Sequence, residues 1–385
     1  MRFLTSGESH GSALAAIIEG VPAGLELTAT AINEQLQRRQ QGYGRGGRMQ
    51  IEQDQVKIIS GVRGGLTLGS PVTFLVENRD WPNWERYMAP GTEADLTQRT
   101  VTVPRPGHAD LPGALKYHQT DMRNILERAS ARETTMRVAV GALARALLTL
   151  LGVEVWGHVL EIGSAVSDSG LPMDVAFRER VAASPVACGD PDAALRMMAA
   201  IDAAKSKGES LGGIFTIVVD GLPQGLGSHV QWDRKLDGRL AQALVSIQAI
   251  KGVEFGLGFR AGALPGSQVH DEIAYTQSKG YYHLSNRAGG IEGGMSNGEP
   301  IVLRAAMKPI PTLYAPLVSV DMQDKTEVKA SVERSDTCAV PAAMVVAEAA
   351  VAWEVACAYL DKFPADHVDE LVAAVNNYKE YVKGR

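Results

Sequence analysis

The chain is expected to fold as an α+β protein, and three observations lead there. Strand patterns come in pairs instead of alternating regularly with helices. Two long helical stretches, 136–151 and 340–360, are apolar enough to be core. One short grammar of strand, turn and helix occurs twice, in the same order. With 385 residues, 45% of them hydrophobic, the chain can bury a sizeable core, either as several domains or as one large fold of duplicated halves.

Taken in order, residues 12–21 form an apolar run ending in Glu19-Gly20-Val21-Pro22-Ala23-Gly24-Leu25, where Gly and Pro stop the strand and set a turn. A polar helix is expected at about 29–40, then strands at 56–59 and 71–76. Arg137 and Arg145 interrupt the first apolar helix, and Glu348 and Glu354 the second, so both read as core helices and not membrane spans. A β-branched strand at 213–219 ends in Asp220-Gly221-Leu222-Pro223-Gln224-Gly225-Leu226, the earlier turn repeated. Leu236, Leu240, Leu244 and Ile247 then recur at helical spacing, which puts Gln248 and Ala249 at the helix C-terminus before Gly252. Strands are expected at 252–257 and 300–305. The stretch Gly65-Leu66-Thr67-Leu68-Gly69-Ser70-Pro71-Val72 is echoed by Gly294-Met295-Ser296-Asn297-Gly298-Glu299-Pro300-Ile301. Two echoes in one order suggest a single domain of pseudo-repeated halves, about 1–160 and 205–360. Residues 271–298, Gly-rich and without marked periodicity, are expected to form a long binding loop.

The formal net charge of −6 argues against a nucleic-acid binder, whose affinity rests on a basic face. Cys188, Cys338 and Cys357 lie far apart without CxxC spacing, so neither a disulfide framework nor a zinc site is indicated, and a reducing cytoplasm fits. A polar run begins within a few residues of Met1, which leaves no apolar core for a signal peptide. Gly256-Leu257-Gly258-Phe259-Arg260-Ala261 matches a dinucleotide fingerprint by letters, but Leu264-Pro265-Gly266 forbids the helix that must follow.

Positive charge must therefore be local, and it clusters. His10 sits in Thr5-Ser6-Gly7-Glu8-Ser9-His10-Gly11. Arg39, Arg45 and Arg48 flank or occupy the glycine-softened Gly42-Tyr43-Gly44-Arg45-Gly46-Gly47-Arg48. Arg105-Pro106-Gly107-His108-Ala109-Asp110 repeats the combination of guanidinium, glycine and imidazole. Guanidinium groups grip oxyanions bidentately, and an imidazole with a reference pKa of about 6.5 is suited to giving a proton near neutrality. A solvated basic loop or an RNA-binding segment remains an alternative for residues 42–48, and an ordinary hydrogen-bonded role for each histidine. Lys308-Pro309-Ile310-Pro311-Thr312 joins a cation to a rigid turn, with a plain strand exit as its alternative. Arg334 and Asp336 precede the last apolar helix, where a surface ion pair or helix entry would also explain them. No histidine pair has convincing metal-ligand spacing.

These blocks, with Arg128-Ala129-Ser130-Ala131-Arg132-Glu133-Thr134, the loop Gly293-Gly294-Met295-Ser296-Asn297-Gly298 and Arg334-Ser335-Asp336, resemble the chorismate synthase family over nearly the whole chain. The resemblance implies a β-α-β sandwich, helices between two antiparallel sheets, assembled as a homotetramer. It implies a lyase that converts 5-enolpyruvylshikimate 3-phosphate to chorismate by 1,4-anti elimination of phosphate, the last common step of the shikimate pathway. Reduced FMN is required without net redox change. By the same resemblance His10 assists phosphate departure, His108 protonates or polarises the reduced flavin near N1, and Asp336 lies near flavin N5. Arg128, Ala129, Ser130, Gln248, Ala249, Gly293, Lys308, Pro309, Ile310, Pro311, Thr312 and Arg334 carry over as FMN contacts. Arg39 and Arg45 map to the substrate or NADPH side, and Arg48, Arg105 and Arg132 are further candidates for the anionic substrate. Bacterial-type members take reduced FMN from a separate reductase, whereas some eukaryotic ones reduce it with NADPH; the lack of large insertions leans toward the first. The competing reading from another class is a non-catalytic anion- or RNA-binding protein.

Overall fold

The structure, a computed structural model, describes residues 1–46, 53–168, 171, 173–333 and 335–385. Two antiparallel sheets enclose a layer of helices, so the chain is α+β with helices between sheets. The first sheet runs β1 (Arg2–Ser6), β2 (Ala13–Glu19), β4 (Val72–Glu77), β3 (Val56–Ser60) from edge to edge. The second runs β7 (Ile250–Phe255), β8 (Ile301–Met307), β6 (Gly213–Asp220), β5 (Glu154–Ile162), with the short strand Ala165–Val166 beyond. Alternation decides which face of the first sheet is covered: Leu14, Ala16, Ile18, Val72, Phe74 and Val76 are buried, while Leu4, Ile17 and Ile59 face outward.

Between the sheets lie α1 (Ala29–Gln40), α3 (Thr134–Leu150), α4 (Leu236–Val245) and α5 (Val340–Lys362), while α2 (Arg123–Ala129) leads into α3 and α6 (Val368–Lys383) closes the chain. The helix α5 is long and apolar enough to cross a membrane, yet most of it is buried inside the protein. It packs tightly on α3, where a Cβ on Gly141 would come within 2.3 Å of the Ala349 Cβ, so only glycine permits the contact. Among the described residues, one acid of the four helices between the sheets is buried. Glu348, on α5, is fully buried and pairs with Arg38 of α1 and Arg145 of α3, which ties three helices through one carboxylate.

The two sheets share an order. Read from the other edge, the second runs β5-β6-β8-β7, matching β1-β2-β4-β3 in the sequence of connections. The register matches as well: Ile18 faces Val72 as Val219 faces Ile301. Even side-chain bonds coincide. Thr67 Oγ1 donates to the Pro22 carbonyl at 2.6 Å and accepts from Leu25 N–H at 2.9 Å; Ser296 Oγ does the same with Pro223 and Leu226 at 2.6 and 2.9 Å.

Two sequence expectations differ in detail. Residues 271–298 are not featureless: Ile273–Thr276 pairs with Gly280–His283, held by the Tyr275–Tyr281 ring contact at 5.1 Å, and a small hairpin follows at 291–296. The helix before Gln248 ends at Val245, so Gln248 and Ala249 lie in the turn into β7, where Ala249 has φ +67°.

Candidate active site

A cavity of about 710 Å³ opens at one end of the helical layer. The elements around it bring together segments from both ends of the chain. The strand β1 ends at Gly7, whose φ of +104° and 2.4 Å approach of a would-be Cβ to the Ala13 carbonyl leave room only for glycine. The chain then turns back so that Ser9 and His10 face the cavity. Asn78 holds that turn by donating to the Gly11 carbonyl at 2.7 Å.

Each candidate histidine is braced by a carboxylate that is itself braced by an arginine. His10 Nδ1 lies 2.9 Å from Glu127 Oε1, and Arg123 Nη1 donates to the same oxygen at 3.2 Å. His108 Nδ1 lies 2.6 Å from Asp110 Oδ1, while Arg105 donates to Asp110 through Nε at 2.8 Å and Nη2 at 3.1 Å. Burial alone would raise the pKa of either acid. Burial is the largest single influence on each, but the hydrogen bonds and charge of His10 with the charge of Arg123 together outweigh it for Glu127, and those of His108 and Arg105 together outweigh it for Asp110, so both carboxyls are held below the usual range. The His10 ring also stacks on Trp84, centroids 3.9 Å apart.

The arginines differ in how much they have left to offer. Arg132 is buried and spends its donors on Asp54 and Asn78, at 2.6 and 2.8 Å. Arg105 adds a bond to Thr312 Oγ1 at 3.0 Å, which fixes that threonine at the cavity wall. Arg39 donates to Thr134 Oγ1 and the Ala131 carbonyl, both at 2.9 Å, but its Nη1 is buried without a hydrogen-bond partner. Burial pulls the Arg39 pKa down to about 10; Asp54 opposes that fall while Arg132 and Arg45 add to it. Arg45 pairs with Asp336 at 2.8 Å, and Lys308 Nζ reaches the Gly107 carbonyl at 2.5 Å.

Of the residues singled out from sequence, His10, His108, Asp336, Arg39, Arg45, Arg105, Arg132, Ala129, Ser130, Gln248, Ala249, Lys308, Ile310, Pro311 and Thr312 all line this cavity. Three do not. Arg128 turns away to bond Thr5 and the Gly7 carbonyl, Pro309 is the spacer within its turn, and Gly293 sits in the hairpin at 291–296. Arg48 and Arg334 lie outside the described residues. Sequence reasoning missed Glu127, Asp110, Arg123 and Trp84. Asp110, two residues after His108, was the legible one.

Gln248 donates through Nε2 to Glu133 Oε1 at 2.8 Å, which leaves its Oε1 buried and without a hydrogen-bond partner, an acceptor suited to an imide N–H such as a flavin carries. Arg39 Nη1, buried without a hydrogen-bond partner and 3.6 Å from Asp54 Oδ2, is a donor suited to an anion. Among the described residues no group of three or more His, Cys, Asp or Glu could hold a metal ion.

Comparison with known proteins gives a consistent result. The family model "Chorismate synthase" matches residues 1–360. The chain is 59% identical to a chorismate synthase of Brevibacillus brevis over 388 aligned positions, with 100% of both chains covered, and 59% identical to one of Desulforamulus reducens, covering 100% of this chain and 99% of the relative. A solved structure described as the crystal structure of chorismate synthase superposes with a TM-score of 0.81 at 43% identity, covering 100% of this chain and 98% of that one.

Proposed function

Because the chain belongs to the chorismate synthase family, a family of carbon–oxygen lyases, we propose that its cavity converts 5-enolpyruvylshikimate 3-phosphate to chorismate with reduced FMN bound beside the substrate. In this 1,4-anti elimination the carbon–oxygen bond to phosphate breaks, a ring hydrogen is lost, and the double bonds shift. The reaction is redox-neutral overall. The observation that carries the site assignment is the convergence of His10, His108 and Asp336 on one cavity walled by arginines in an acidic protein.

The substrate carries a phosphate and two carboxylates, and the roles divide accordingly. Arg39 and Arg45 meet its anionic groups, with Arg105 and Arg132 buttressing the wall through Asp110 and Asp54. Arg48 belongs with the first pair by resemblance. Gln248, Ala249, Ala129, Ser130 and the Lys308–Thr312 turn would hold the flavin; Arg128 and Gly293 do not line this cavity and stay contacts by family resemblance alone, as does Arg334. When bound there, reduced flavin would supply transient electron donation to the substrate without net redox change. His10 gives a proton to the leaving phosphate. His108, oriented by Asp110, would stabilise negative charge on a reduced ring bound beside it. Asp336 stands on the side where the ring hydrogen departs.

The reading extends to a cytoplasmic homotetramer supplied with reduced FMN by a separate reductase; NADPH as a direct reductant is the eukaryotic-type variant. The shared order of the two sheets supports one domain of two pseudo-repeated halves. The RNA-binding alternative has less in its favour, since Arg39, Arg105 and Arg132 are buried in the cavity wall and offer no exposed basic strip. An anaerobic assay with 5-enolpyruvylshikimate 3-phosphate and photoreduced FMN, following chorismate absorbance, tests the function. Chorismate must form only with reduced flavin, which is not consumed; full-rate formation with oxidised FMN and no reductant would overturn it.

A further inference from the structure

Glu127 accepts more than one bond from His10. Its Oε1 lies 2.9 Å from the ring Nδ1, and its Oε2 accepts the backbone N–H of His10 at 2.7 Å. Arg123 Nη1 adds a third donor, on Oε1 at 3.2 Å. The backbone N–H of Ser9 donates to the Glu127 carbonyl at 3.1 Å, so the whole turn is docked on the end of α2. Glu127 itself is 2% exposed.

Three N–H donors converge on two oxygens, and only a carboxylate can accept them all. An amide in the same place has one oxygen. Turned one way, its NH2 meets the backbone N–H of His10; turned the other, it meets Arg123 Nη1 and the Nδ1 proton. The arrangement also assigns the tautomer. With Nδ1–H given to Glu127, Nε2 is the nitrogen available to a bound ligand. Trp84 stacked on the ring removes the remaining rotational freedom.

We propose that Glu127 is the positioning residue for the proton-transfer step of the elimination: it holds His10 through Nδ1–H so that Nε2–H is presented to the leaving phosphate. This rests on the functional reading above. As the carbon–oxygen bond breaks, its electron pair goes to the phosphate oxygen, which takes the Nε2 proton. The neutral imidazole keeps Nδ1–H on Glu127 and recovers its Nε2 proton from solvent before the next turnover. Glu127 stays ionised throughout and touches neither substrate nor flavin.

A double-mutant cycle on the full-length enzyme separates this role from a merely structural one. Turnover of 5-enolpyruvylshikimate 3-phosphate with photoreduced FMN is measured for wild type, Glu127→Gln, His10→Ala and the double variant. Glu127→Gln is expected to lower kcat by about 100-fold or more with KM within about threefold. His10→Ala is expected to lower kcat by about two to four decades. Added to His10→Ala, Glu127→Gln should cost less than about twofold more, because a residue that acts through His10 has nothing left to act on. Losses that multiply in the double variant overturn the proposal, as does wild-type turnover in Glu127→Gln. If Glu127→Gln does not fold, Glu127→Asp, which keeps the charge, takes its place, and its loss must likewise vanish in the His10→Ala background. An inactive wild type would instead remove the functional reading, and this proposal with it.

Discussion

The Arg45 guanidinium stands 2.8 Å from the Asp336 carboxylate, and the Gly46 backbone N–H donates to the other oxygen of that carboxylate at 2.6 Å. The proposed anion clamp is thus joined to the residue proposed to stand by the departing ring hydrogen. Arg45 also lines the cavity, where the anionic groups of a substrate would meet it.

Arg45→Ala should therefore weaken substrate binding much more than folding. A lost charge-assisted hydrogen bond is worth roughly 1.5–3 kcal/mol, or about one to two decades in affinity. Asp336 keeps its bond to Gly46 and part of its exposure, so the melting temperature should barely move. Equilibrium binding of 5-enolpyruvylshikimate 3-phosphate gives the answer; an unchanged Kd removes Arg45 from the substrate site.

His10→Ala and His108→Ala should each cost about two to four decades of turnover while differing in kind. Loss of His10 should slow product formation in single-turnover experiments and leave the spectrum of bound reduced FMN unchanged. Loss of His108 should alter that spectrum, because an imidazole near the ring biases its protonation. Identical spectra in the two variants would refute the division of labour.

Asp110 and Glu127 make stability depend on acid. Their carboxyls are held below the usual range in the folded protein, so each contribution is complete above the unfolded values of about 3.9 and 4.3 and is lost as pH falls from there toward the folded values. Buried His158, whose pKa burial lowers to about 4, should start the loss as pH falls below about 6.5, and calorimetric melts should drop more steeply below about pH 4.5 as these two carboxyls add to it. Asp110→Asn should lower the neutral midpoint and flatten the acid drop. An acid limb as steep as that of the wild type would show that Asp110 contributes nothing to it.

Thr67 and Ser296, neither of which lines the cavity, offer a matched pair of stability tests. Thr67→Val and Ser296→Ala each leave a buried N–H and a carbonyl without their hydroxyl partner. Each should cost about 1–3 kcal/mol, measured by urea unfolding, with kcat unchanged. Unequal costs would mean that the shared geometry does not carry equal energy.

What could be read from the chain was what periodicity and short spacing record. The helix at 29–40 has the limits expected, and the strands at 56–60, 72–77 and 213–220 fall within a residue of expectation. The Gly-rich motifs pointed to most of the cavity wall because glycine marks turns that bring backbone close to a ligand. The acids behind the wall left no such trace. Glu127 meets His10 across 117 positions and Asp54 meets Arg132 across 78, and no local pattern records pairings of that reach. The hairpin at 273–283 was missed because its strands are four residues each, too short for an alternation to stand out.

The buried Gln248 oxygen has a bearing on inhibitor chemistry. Most analogues of a phosphorylated substrate compete for guanidinium groups, which many enzymes of phosphate metabolism also display. A compound that instead offers a flat heterocycle with an N–H toward Gln248 Oε1 and an acidic tail toward Arg39 Nη1 would satisfy two polar atoms that have no hydrogen-bond partner in the protein alone. Its selectivity would come from one acceptor held in place by Glu133 and would depend little on overall charge.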